Sequence, residues 1–335
     1  MTADNPLNVR WSGSLPRDLR ADMLMLPRTE GGTKWYDRAQ IVPGQKFEPS
    51  VAVADSAGYQ ELDVSFDPEA RALWCYMRPI RAPSITPTIL HDFLDLHAGI
   101  TSGSLLKAHC NDTPLEYYIQ GSRIPGIYSL GGDLAFMIEC VRVGDCESLR
   151  RYAHDCVQVV FNIFTGFNRD VVSVAVIAGD ALGGGFEAAL CCNFIIAERS
   201  ARFGFPEILF NCFPGMGAYS FLSRRVGPKL AEEMMQNGKI YTAAEMYEMG
   251  IINQLADDGC GKEAAINYIK ADLPTYAMRN SMCRIRQCVN PIQLDELRDI
   301  TDLWVEMTLR LSPSDISKMQ RFLTAQQRRL EKVGG

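Results

Sequence analysis

Apolar and polar positions alternate in Glu61–Phe66 and Ala72–Met77, which predicts two paired strands across a turn at Asp67–Pro68. Thr88–Leu96 has helical spacing. Leu115–Gln120 and Ile127–Leu130 read either as a strand pair or as one strand broken over Gly121–Gly126. Across residues 131–168, Leu149, Tyr152, Cys156, Val159, Val160 and Ile163 recur at three-to-four spacing and predict one long helical stretch.

The most regular stretch comes next: the apolar strand Val171–Ala178, the triplet Gly183-Gly184-Gly185, the short apolar helix Phe186–Cys192 and the strand Phe194–Ala197. Strand, helix, strand with short turns is a right-handed crossover, the unit from which parallel sheets are stacked. Helices at Pro228–Gln236 and Ala243–Met249 precede a short strand, Ile251–Leu255. From Gly261 onward the chain reads as helices, with stops near Pro274, Pro291 and Pro313. The pattern predicts an α/β core over residues 56–260 and a helical region over 261–335. Residues 1–55 are polar and rich in Pro and Gly, an irregular extension with room for one short helix around Pro16–Leu26.

Composition alters this picture little. The chain has 335 residues, 47% of them hydrophobic and 22% charged, enough for a substantial core. A net charge of −6 without a long basic run gives no nucleic-acid footprint. Eleven cysteines show neither a C-x-x-C pair nor zinc spacing with the four histidines, which points to reduced thiols and a cytoplasmic setting. The longest apolar run is too short to span a membrane, and the first residues lack a signal-peptide pattern. No metal or resident cofactor is expected.

Candidate chemistry lies where charge is scarce. From Val171 to Ala197 the only formal charges are Asp180 and Glu187; from Phe203 to Ser223 the only one is Glu207. A carboxylate buried in such a run pays a desolvation cost that raises its pKa, the property a general acid or base needs near neutral pH. On position alone, each reads as readily as a helix cap or a turn residue. Gly183-Gly184-Gly185 opens a helix and offers backbone N–H groups to an oxygen that can approach closely. Gly184 and Glu187 fall on one face of that helix. A second step, Gly131-Gly132-Asp133-Leu134, offers another N–H at Gly132. Two converging N–H groups are what a thioester carbonyl needs to become an enolate or a tetrahedral adduct. The triplet is neither a dinucleotide fingerprint nor a P-loop, and no G-x-S-x-G elbow is present.

These motifs, in order and spacing, resemble the crotonase (enoyl-CoA hydratase/isomerase) superfamily: Gly131-Gly132-Asp133-Leu134, Ala181-Leu182-Gly183-Gly184-Gly185-Phe186-Glu187, Phe205-Pro206-Glu207 and Phe213-Pro214-Gly215-Met216-Gly217. The resemblance runs from about Glu61 to Gln254. It implies a spiral of ββα units with a C-terminal helical region that covers the acyl pocket and builds a homotrimer or a dimer of trimers. It also implies Gly132 and Gly184 as oxyanion-hole donors, Glu187 and Glu207 as the catalytic carboxylates, and Gly131, Gly183, Phe186, Met216, Gly217 and Trp304 as substrate-binding residues. Within the superfamily the sequence is most similar to bacterial diffusible-signal-factor synthases. Gly132 stands where hydratases usually have Ala, Phe186 where Cys is frequent, and Tyr128-Ser129-Leu130 where a basic residue is usual.

That likeness implies dehydration of a 3-hydroxyacyl group on acyl carrier protein to a cis-2-enoyl thioester, then hydrolysis to a free unsaturated fatty acid used in quorum sensing. It further implies a regulatory sensor protein as a candidate partner. The alternatives are a conventional enoyl-CoA hydratase or isomerase acting on acyl-CoA, and an inactive crotonase-fold binding module.

Overall fold

In the computed structural model, residues 58–110 and 113–334 are described, so the N-terminal extension predicted over 1–55 lies outside the described residues. Strands β1 (Leu62–Asp67) and β2 (Ala72–Met77) form the predicted antiparallel pair, Leu62 opposite Met77 and Asp67 opposite Ala72. Thr86 caps helix α1 (Pro87–Ser102) by accepting from the Ile89 N–H at 3.1 Å, with Pro87 pre-set for the first turn. A short helix α2 (Ser104–His109) follows.

From here each strand run divides between two sheets. Strand β3 (Tyr117–Ser122) joins β2 in parallel, while β4 (Gly126–Ser129) belongs to a second sheet. Of the two alternatives for this region, the broken strand is therefore the one observed. After helices α3 (Leu134–Val143) and α4 (Cys146–Phe164), β5 (Val172–Ile177) adds to the first sheet and β6 (Gly179–Leu182) to the second. Helix α5 (Gly184–Leu190) leads to β7 (Phe194–Glu198) in the first sheet and β8 (Arg202–Gly204) in the second. Strand, strand, helix thus repeats as a spiral. The bend between β5 and β6 demands glycine: a Cβ on Gly179 would fall 2.0 Å from the carbonyl carbon of Gly126.

Helices α6 (Ala218–Val226) and α7 (Pro228–Gln236), strand β9 (Ile240–Thr242), helix α8 (Ala243–Glu248) and strand β10 (Gln254–Ala256) complete the spiral. The six-stranded sheet runs β1-β2-β3-β5-β7-β10 and the four-stranded sheet β4-β6-β8-β9. Among the described residues, only the β1/β2 and β8/β9 pairs are antiparallel.

β2 and β5 are buried at every position because the six-stranded sheet is covered on both faces, which makes their apolar runs continuous. Leu73, Cys75 and Met77 face the main core, and Ala72, Trp74 and Tyr76 face a second core under Ile266 and Ile269. Those two belong to helix α9 (Gly261–Asp272), the first of the C-terminal helices. It is followed by α10 (Tyr276–Val289), α11 (Leu294–Thr308) and α12 (Pro313–Gly334). The architecture is a mixed α/β fold with parallel sheets and a C-terminal helical region.

The predicted single helix over 131–168 is two helices. Gly144 adopts φ 70° and closes α3 with its N–H on the carbonyls of Cys140 and Val141, and Asp145 caps α4 through the Ser148 N–H. α6, β6, β8 and β9 were not anticipated.

Candidate active site

β4 and β6 run parallel as neighbours, so the turns that leave their C-terminal ends emerge side by side. The first is Gly131-Gly132 and the second Gly183-Gly184. Gly131 (φ 97°) and Gly183 (φ 53°) need the left-handed region, which glycine enters without strain. The turns touch: a Cβ on Gly131 would sit 3.2 Å from the Gly184 nitrogen, and one on Gly184 would sit 3.5 Å from the Gly132 nitrogen. Among the described residues, neither of these N–H groups is engaged by another group of the chain. Two free donors side by side at the start of α5 form a cradle for one oxygen.

Tyr152, from α4, holds the first turn. Its hydroxyl donates to the Ile85 carbonyl at 2.6 Å and accepts from the Asp133 N–H at 2.9 Å, so both hydroxyl functions are used. The Ile85 N–H in turn reaches the Gly131 carbonyl at 2.8 Å. Sequence periodicity marked Tyr152 only as part of an apolar stripe.

Glu187 lies in the first turn of α5, 2% exposed. Its Oε1 accepts from the backbone N–H groups of Met216 (2.7 Å) and Ala218 (2.8 Å), at the start of α6. One oxygen thus caps α6 and the other stays open. Burial pushes the Glu187 carboxyl up to about 7, against the two N–H bonds that favour its charge. Glu207 starts a 3-10 turn, Pro206–Phe210, and its Oε1 lies where a Cβ on Gly183 would meet it at 2.3 Å. Its Oε2 is sealed from solvent without a partner. Burial first, and then the nearby Glu187 charge, push Glu207 up to about 8.

Both carboxyls and both glycine turns line one cavity, whose other walls include Met137, Cys156, Phe210, Cys212, Met216 and Trp304. Its apolar lining fits an acyl chain. Trp304 packs directly on Gly215, where a Cβ would fall 2.4 Å from the indole. Thr301 donates to the Gly215 carbonyl at 2.8 Å, so α11 fixes the segment that supplies the Met216 N–H.

Of the residues expected to bind substrate, Gly131, Gly183, Met216 and Trp304 line the cavity. Phe186 and Gly217 are corrections. The Phe186 ring is fully buried against Phe203 and Phe205, with centroids 5.4 and 5.0 Å away, and does not line the cavity. Gly217 (φ 109°) stands at the N-cap of α6 against the Phe221 ring. Met307 and Leu311, near Trp304 in sequence, pack with the core between α3, α11 and α12. His154 donates or accepts at 2.9 Å with Asp302, in keeping with a satisfied surface histidine. Among the described residues no group of three or more His, Cys, Asp or Glu is placed to hold a metal ion.

A family model described as enoyl-CoA hydratase/isomerase matches residues 112–271. That match covers just under half of the chain. Curated relatives agree: crotonyl-CoA hydratase of Syntrophomonas wolfei subsp. wolfei is 37% identical over 127 residues, covering 37% of this chain and 45% of that protein. The 2,3-dehydroadipyl-CoA hydratase of Escherichia coli is 32% identical over 150 residues, 45% of this chain and 55% of that protein. The matched part of the chain spans about half the length of these two relatives. The crystal structure of enoyl-CoA hydratase from Bacillus halodurans superposes with a TM-score of 0.65 at 23% identity, covering 79% of this chain and all of that one (100%). Human mitochondrial delta3-delta2-enoyl-CoA isomerase gives 0.62 at 18%, covering 82% of this chain and 100% of that one. At such identities these likenesses carry the fold alone.

Proposed function

We propose that this crotonase-like chain adds water reversibly across the 2,3 double bond of an enoyl thioester. The observation that carries this reading is the meeting of two carboxyls of raised pKa with two unengaged N–H groups in one apolar cavity. The relatives' names support a CoA carrier and favour a hydratase over the signal-factor synthase expected from the finer resemblance.

The environments order the two acids. Glu187 has two N–H donors that favour its charged form, while Glu207 has an unpartnered oxygen and faces the Glu187 charge. At neutral pH Glu187 ionises first and Glu207 keeps the proton. In hydration, the thioester oxygen sits between the Gly132 and Gly184 N–H groups, and the Glu187 carboxylate takes a proton from water as its oxygen bonds to C3. The electron pair of the double bond moves to the enolate oxygen in the cradle. Protonated Glu207 then delivers its proton to C2 as the carbonyl re-forms. Dehydration runs the same steps backward. Each cradle N–H is worth about 10²–10³ in rate.

A second reading, hydrolysis of the thioester to a free cis-2-unsaturated acid from a carrier-protein substrate, is favoured by Tyr128-Ser129-Leu130. This stretch brings no cation, and all three side chains are buried. Incubation with 2-enoyl-CoA and with 3-hydroxyacyl carrier protein, read by mass spectrometry, separates the two. An intact hydrated or dehydrated thioester supports the hydratase, and a free acid supports the synthase. Recovery of both substrates unchanged would sink both readings and leave the binding-module alternative.

The apolar face of α10, with Met278, Met282, Ile285 and Val289 each at least half exposed, supports self-association. Light scattering checks the expected trimer. No helix among the described residues is long and apolar enough to cross a membrane.

A further inference from the structure

We infer that Gln326, on the last helix and far in sequence from every motif, contacts the substrate of the thioester site proposed above and accepts a hydrogen bond from it. The inference rests on that reading of the cavity. Gln326 lines the cavity beside Phe322, and its Nε2 donates to the Leu130 carbonyl at 3.0 Å. Leu130 lies two residues before the Gly132 N–H, so the amide stands beside the oxygen cradle. With the N–H end committed, the orientation of the amide is fixed and its Oε1 is the open end. That oxygen is sealed from solvent and has no partner among the described residues. A buried amide oxygen left without a donor is costly, and natural sites keep such a group where a ligand or bound water completes it.

Two features show that the placement is built. One turn further along α12, Arg329 reaches Asp180 of β6 at 2.7 Å. Gln326 and Arg329, three apart on one helix face, therefore touch both strands' segments that lead into the glycine turns, Leu130 just after β4 and Asp180 within β6. The neighbouring polar groups of the cavity are already committed. The Tyr152 hydroxyl already donates once and accepts once, the Thr301 proton goes to backbone carbonyls, and Glu187 Oε1 holds two N–H groups. Apart from Glu207 Oε2, Gln326 Oε1 is, among the described residues, the side-chain oxygen of the lining that is sealed from solvent with no partner at all.

An acyl thioester offers two such hydrogens: the 3-hydroxyl of the hydrated acyl chain, and the amide N–H of the arm that carries the sulfur. The test is steady-state kinetics of wild type and Gln326→Met with four probes. These are the enoyl and the 3-hydroxyacyl N-acetylcysteamine thioesters, which have an arm N–H, and the matching ethanethiol thioesters, which lack it. Losing one hydrogen bond predicts a KM rise of about five- to tenfold, with a smaller change in kcat, confined to probes that carry the donor. A rise confined to both 3-hydroxyacyl probes assigns the hydroxyl; a rise confined to both N-acetylcysteamine probes assigns the arm. An equal change across all four, or none, would overturn the inference, because a merely structural role of the Leu130 contact does not distinguish substrates. Wild type is run in parallel. Its failure to turn over any probe would instead defeat the proposed function, which keeps the two failures apart.

Discussion

Glu187→Gln is a substitution in which stability and activity should move in opposite directions. The side chain is 2% exposed, and Gln keeps the shape and an Oε1 able to accept from the Met216 and Ala218 N–H groups. Only the charge is lost. The folded-state pKa of Glu187 stands at about 7, against an ordinary value of 4.5. A group raised in the folded state favours folding fully below its unfolded pKa, and that contribution is lost as pH rises through the folded value. At 1.36 kcal/mol per unit, Glu187 disfavours the fold by about 1 kcal/mol at pH 5 and about 3 kcal/mol at pH 9. Gln removes the difference. The variant should therefore gain stability relative to wild type as pH rises, on the order of 5 °C in Tm between those two pH values. Melting curves of both proteins across that range provide the assay. A Tm difference independent of pH would refute the buried-carboxylate reasoning. Glu187→Ala serves as the control: it removes the same charge and should share the pH dependence of the Gln variant, but be less stable than that variant at every pH by about 1–3 kcal/mol per N–H group left unpaired.

Further outcomes follow from the same geometry. The kcat/KM profile for hydration should be a narrow bell between the macroscopic pKa values of the pair, near 7 and 8, rising as Glu187 ionises and falling as Glu207 loses its proton; a flat profile over that range would contradict the role assignment. Gly183→Ala must strain φ 53° and push a Cβ to 2.3 Å from Glu207 Oε1. Its kcat should fall by about a hundredfold, on the scale of a displaced acid/base group, and an unchanged kcat would place Glu207 elsewhere. Tyr152→Phe leaves the Ile85 carbonyl and the Asp133 N–H without their partner, and should cost about 1–3 kcal/mol of stability by chemical denaturation together with a lowered kcat. A variant as stable and active as wild type would remove Tyr152 from the support of the cradle.

The parts legible in the sequence were those with short-range causes. Gly183-Gly184-Gly185 and Gly131-Gly132 announced themselves because positive φ and close backbone approach admit little else. Glu187 and Glu207 stood out as lone charges in apolar runs. β1, β2 and β5 were legible from length and pattern. β6 and β8, at four and three residues, are too short to show a period, and the passage of the chain from one sheet to the other at Gly126 and Gly179 is a tertiary event. The α3/α4 break was written in Gly144, Asp145 and Ser148, but helical spacing carries across it and hid the stop. Tyr152, Thr301 and Gln326 gave no signal as site residues. Their roles depend on which backbone carbonyls α4, α11 and α12 come to lie against, and spacing along the chain does not encode that. Phe186 illustrates the reverse: the family resemblance implied a pocket residue, yet the helix turns it into the core.

The most direct test of the paired-carboxylate site is the hydration rate of a short 2-enoyl-CoA, followed by loss of the conjugated thioester absorbance, for wild type, Glu187→Gln and Glu207→Gln side by side. Wild type should turn over, and each variant should lose about 10²–10⁴ in kcat while retaining the wild-type circular dichroism spectrum. A folded variant that keeps the wild-type rate, or a folded wild type with no turnover, would contradict the account.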